Sequence, residues 1–73
     1  MQAYLNRNGN SNVKCYEIGN TYIDVSFFGT PKTNRYSNAS AGRNQVEQMK
    51  ILARNGSGLN SYIMNNVRFA YEK

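Results

Sequence analysis

The chain has no histidine and no tryptophan, one cysteine, one proline and only four acidic residues in 73. Each shortage excludes something. Without histidine the usual general base, proton shuttle and commonest metal ligand are missing together, which removes most hydrolytic chemistries. Cys15 has no second cysteine to pair with and no histidine to activate it, so it reads as a small buried hydrophobe on a strand. Glu17, Asp24, Glu47 and Glu72 are scattered, with no spacing suited to a metal or to a catalytic carboxylate pair. A non-enzymatic protein that uses neither metal nor cofactor is expected. No window approaches the roughly 20 apolar residues of a membrane span, and MQAYLNRNGN has no signal-peptide core, so a cytoplasmic protein without membrane contact is expected.

What is present is basic and aromatic. Nine Lys and Arg give a net charge of +5, and six Tyr and three Phe stand in a chain that is 40% hydrophobic. That is too apolar and too aromatic for a disordered tail. The length fits one domain over residues 1–73, whose folding buries only about 60% of the surface of the unfolded chain, so a homo-oligomer is expected. A basic surface favours polyanions or an acidic protein partner; the plain alternative is solubility.

Along the chain, AYLN, VKCYEI, TYIDVSFF and RYSN read as strands. Asn8-Gly9 marks a turn after the first, Gly19-Asn20 marks a two-residue hairpin between the second and third, and Gly29 and Pro31 break the pattern before the fourth. Ile23, Val25 and Phe27 alternate with Tyr22, Asp24 and Ser26, as in a strand with one face on a core. The period then becomes helical. Asn44 with Glu47 fits a capping box, Val46, Met49, Leu52 and Ala53 form an apolar stripe, and Gly56 suits a left-handed cap. Ser57 or Asn60 is expected to cap a second helix carrying Leu59, Ile63 and Val67, after which RFAYE returns to the sheet as an extended tail. The expected fold is α+β: a small antiparallel sheet of three or four strands with two short helices packed on one face.

Three groupings are candidates for binding. NGSGLN resembles a phosphate-cradling turn at a helix start, although it lacks the Lys-Ser/Thr of a P-loop and serves equally as a helix cap. Arg35, Tyr36, Arg43, Lys50, Arg54, Arg68 and Tyr71 combine guanidinium groups that bind phosphate bidentately with rings on which bases stack. Lys50 and Arg54 share a helix face by their spacing, with no acidic partner expected within that turn. The alternative is that the cations solvate an exposed face while Tyr36, Phe69 and Tyr71 fill the core. Asn60, Asn65, Asn66 and Arg68 are polar groups the fold does not require, and a ligand or partner subunit is expected there first.

The order of a hairpin, GTP..NRYSN, a helix and GSGLNSYIMNNVRFAY resembles the KTSC domain, a small α+β module found at the C-terminus of some lysyl-tRNA synthetases. The resemblance covers about residues 13–71 and rests on Val67-Arg68-x-x-Tyr71, Arg35-Tyr36-Ser37 and Gly58-Leu59-Asn60. It implies no catalytic activity and, by association, a role near nucleic acid. The leading expectation is thus a binder of phosphate-bearing ligands, nucleotide or nucleic acid. Solitary domains of this kind occur in phage genomes, so sequestering a nucleotide signal against host defence is one form of it. The rival is a module that docks on an acidic partner protein through exposed anchors such as Phe28, Tyr62 or Met64.

Overall fold

In a computed structural model that describes residues 1–7, 9 and 11–72, four strands run in chain order across one antiparallel sheet. They are β1 (Gln2–Ala3), β2 (Val13–Ile18), β3 (Tyr22–Phe27) and β4 (Thr33–Ser37). The helices are α1 (Asn38–Ala41), α2 (Arg43–Asn55) and α3 (Leu59–Tyr62), the last continuing into a wider π-helical turn over Ile63–Val67. This is the α+β fold expected from the residue pattern.

The alternation in β3 sends Ile23, Val25 and Phe27 into the core. In β2, Val13 and Tyr16 are three residues apart and yet both buried, because the register with β3 shifts between Val13 and Cys15 and inserts Lys14 as a bulge. Val46, Met49 and Ala53 of α2 close the core from above, joined by Leu59, Ile63 and Val67. Tyr4 and Tyr36 complete it from the sheet side.

Several boundaries differ from the sequence expectation. β1 begins one residue before AYLN and ends already at Ala3, although Tyr4 still donates its N–H to the Lys14 carbonyl at 3.1 Å. Of the Asn8-Gly9 turn, Asn8 lies outside the described residues. The β2–β3 hairpin closes on the Gly19 and Tyr22 pair, with the Gly19 N–H donating to Tyr22 O at 2.9 Å, so its two central residues are Asn20 and Thr21. The capping box sits at α1 instead of at Asn44 and Glu47. There the Ser40 N–H donates to Ser37 Oγ at 3.1 Å and the Ser37 N–H to Ser40 Oγ at 3.0 Å. That extra turn uses residues 38–41, Gly42 redirects the chain at φ +93°, and α2 starts at Arg43 with no side-chain cap.

Gly56 ends α2 in the left-handed conformation expected of it, at φ +75°, and returns its N–H to the Leu52 and Ala53 carbonyls. Neither Ser57 nor Asn60 caps α3. The phenol oxygen of Tyr4 accepts from the Leu59 N–H at 3.2 Å, so the cap comes from the other end of the chain. Arg7 makes a parallel tie, donating its N–H to Gly56 O at 2.7 Å and its Nε–H to Asn55 O at 2.6 Å. The tail meets the sheet where the Glu72 N–H donates to Arg35 O at 2.7 Å, and residues 68–72 fold back through a turn instead of running as the extended tail expected.

Candidate functional site

Arg35 projects from β4 directly across from Asp24 of β3, on the sheet face away from the helices. Its Nε and Nη2 donate to the two carboxylate oxygens at 2.8 and 3.0 Å, and its guanidinium lies 3.9 Å from the centre of the Tyr22 ring. The bond to Asp24 is the main reason its pKa is driven above the ordinary arginine value. The group remains 46% exposed, but its fork already holds a carboxylate in the geometry a phosphate would need.

Two of the expected ligand residues are buried. Tyr36 is 1% exposed and sits with its ring edge-on to Tyr71 at 6.1 Å, leaving no face for a base. Burial also raises its pKa. Lys50 is 5% exposed because its ammonium is drawn inward, donating to Glu47 Oε2 at 3.0 Å and to the Asn20 carbonyl at 3.3 Å. An acid one turn earlier therefore does partner it, and Lys50 ties α2 to the β2–β3 hairpin rather than offering a charge to a ligand. The same bond lowers the pKa of Glu47, with smaller help from Arg43 and Arg54.

Arg43, Glu47, Lys50 and Arg54 recur at i, i+4, i+7 and i+11 and so share one stripe of α2, whose two ends are exposed arginines. Tyr71 is half-buried against Tyr36. Asn60 is half-buried, and its Oδ1 has no hydrogen-bond partner among the described residues. Of the eight described Lys and Arg residues, Arg35 and Lys50 are in ion pairs; Arg7, Lys14, Lys32, Arg43, Arg54 and Arg68 are not. The acids are few and Asp24 and Glu47 are already engaged, so the positive excess stays at the surface.

A surface depression of ≈ 450 Å³ is lined by residues 64–70, including Asn65, Asn66 and Arg68. It is shaped by the π-helical turn. Ile63 and Val67 both point into the core across that turn, which pushes Met64, Asn65 and Asn66 outward. The chain then turns back, with the Ala70 N–H donating to Val67 O at 2.9 Å, and is held again by Tyr71 and Glu72 against β4. Phe69, between these anchors, is 71% exposed, and the Arg68 guanidinium lies 5.3 Å from its ring centre. A phenylalanine at this point in an amphipathic ending reads as core from its residue type alone. Only the turn at 68 and 69, which no glycine or proline marks, shows it to be outside. Another depression, ≈ 310 Å³, lies beside Glu17 at the β1–β2 edge and holds none of the candidate residues named from the sequence.

The structure therefore does not gather Arg35, Tyr36, Arg43, Lys50, Arg54, Asn60, Arg68 and Tyr71 into one pocket. Arg43 and Arg54 form a helix stripe, Arg68 stands in the depression, and Arg35, Tyr36 and Lys50 serve the fold. Among the described residues no group of three or more Cys, Asp or Glu is placed to hold a metal, and no helix is long and apolar enough to cross a membrane. Comparison with known proteins adds no counterpart: no family model matches the chain, and neither a curated protein nor a solved structure does.

Proposed function

We propose that this chain is a non-enzymatic binding module for phosphate-bearing ligands, nucleotide or nucleic acid, and that Arg43, Arg54 and Arg68 carry the contact. The observation behind this reading is the set of exposed cations that have no acidic partner among the described residues, with an exposed aromatic ring beside one of them. Guanidinium groups without internal partners keep their donors for phosphate, and release of counterions drives the association. Sequestering of a nucleotide signal, and membership of the KTSC family, belong to the same proposal and rest on the sequence resemblance alone.

The test is a titration of a labelled single-stranded oligonucleotide at several salt concentrations. Affinity is expected to fall steeply with salt, and replacing Arg43, Arg54 and Arg68 together by Ala should lower the log–log slope by about 2, from roughly 0.7 per phosphate contact on single strands. Lys50→Met should leave the slope unchanged, since that ammonium is turned inward. If the folded triple variant binds with the native affinity and slope, the proposal fails. Docking on an acidic protein is the second reading, and the exposed Met64 and Phe69 favour it.

A further inference from the structure

The depression at residues 64–70 has the makings of a site for one unpaired nucleotide. It is a wide, open depression of ≈ 450 Å³, with room for one nucleotide laid against the surface. It contains three kinds of group in one short segment: an aromatic ring, a guanidinium and side-chain amides. Phe69 stays 71% exposed although Arg68 lies against it, so a ring surface is open for a base. Its exposure is not fraying of the chain. Val67 is fixed in the core on one side, and on the other Tyr71 packs on Tyr36 while Glu72 bonds to Arg35. A large apolar ring held in water between two anchors contributes little to the core and is available to a ligand. Arg68 has no acidic partner among the described residues, which leaves its fork for phosphate. Asn65 is exposed in the same lining, and because Asn66 has its amide N–H tied to Tyr62 O at 3.1 Å, Asn65 is the side-chain amide left for a base edge.

The geometry points to a nucleotide-monophosphate unit, free or within a single strand, with its base stacked on Phe69, its phosphate on Arg68 and its base edge at Asn65. This rests on the reading of the chain as a phosphate-ligand binder and gives that reading a pocket. A pocket made by one chain needs no second subunit to complete it.

The probe is 2-aminopurine, whose fluorescence is quenched when it stacks, used as the free ribonucleoside monophosphate, as the nucleoside and within a short single strand. Quenching by the native protein is expected for all three. Phe69→Ala should weaken it roughly 5- to 150-fold, the range that stacking of one base supports. Arg68→Ala should weaken the monophosphate and the strand while leaving the nucleoside unchanged. Both side chains are exposed, so circular dichroism of the variants should match that of the native protein. A preference for the strand over the monophosphate identifies the strand as the source of the unit, and equal binding identifies the free nucleotide. Quenching that survives Phe69→Ala, or no quenching while the oligonucleotide still binds through Arg43 and Arg54, overturns the pocket and spares the broader reading. Loss of all oligonucleotide binding by the native protein overturns both.

Discussion

Tyr4 and Lys50 are polar groups placed inside, and each is tolerated there because it has a specific partner. The Tyr4 hydroxyl satisfies the Leu59 N–H, the first amide of α3. Tyr4→Phe keeps the ring and strands that amide, so a loss of about 1–3 kcal/mol is expected in urea denaturation, the usual cost of an unsatisfied buried donor. Lys50 depends on Glu47. Because the folded-state pKa of Glu47 is depressed by that bond, its contribution is present above the ordinary glutamate value of about 4.3 and is lost as pH falls through the lower folded value. Glu47→Gln is therefore expected to melt below the native protein at neutral pH. The gap should close as the pH drops below 4 in a thermal melting series followed by circular dichroism, and a gap of constant size would refute the pairing.

At the scale of elements, α2 depends on how it stops. Gly56 holds φ +75°, and a Cβ there would collide with the side chain of Leu5. Gly56→Ala should cost at least about 1–2 kcal/mol from the left-handed backbone alone, read as a lower denaturation midpoint with the same slope. This stop was legible in the residues, as were the core stripe of α2, the alternation of β3 and the spacing of Leu59, Ile63 and Val67, because each is a local pattern of residue type. The start of α2 was not. Asn44 and Glu47 have the right identity and spacing for a cap, but Ser37 and Ser40, two serines a few residues upstream, form the box first and Gly42 resets the direction. The site was legible only in part for a related reason. Arg35 finds Asp24 through the register of a hairpin, and Lys50 bends toward a carbonyl 30 residues away in sequence, so which cations remain free is decided by tertiary pairing that spacing along the chain does not encode.

For the molecule as a whole, the last third of the chain is part of the core rather than an appendage. Leu59, Ile63 and Val67 are each at most 3% exposed. Burying such side chains contributes about 1.5–3 kcal/mol apiece, so the three together rival the roughly 5–15 kcal/mol that holds a small domain folded. A chain cut after Gly56 should show no cooperative thermal transition, and a sigmoidal melt from that fragment would show that the sheet and α2 suffice by themselves. The same arithmetic places the candidate pocket on well-anchored ground: residues 64–70 leave the core at Val67 and rejoin the sheet at Tyr71.

The bonds from Tyr4 to Leu59 and from Arg7 to Asn55 and Gly56 also set the order of events during synthesis. The β2–β3 and β3–β4 pairings join neighbours and can form as the chain emerges. Tyr4 has to wait for Leu59, 55 residues further along the chain. Until α2 and α3 have been made, the sheet keeps one apolar face uncovered. The nascent chain is then at its most vulnerable to chaperone capture and to sticking to its neighbours. A slow codon between β4 and Leu59 would lengthen that interval, whereas one before β2 would not.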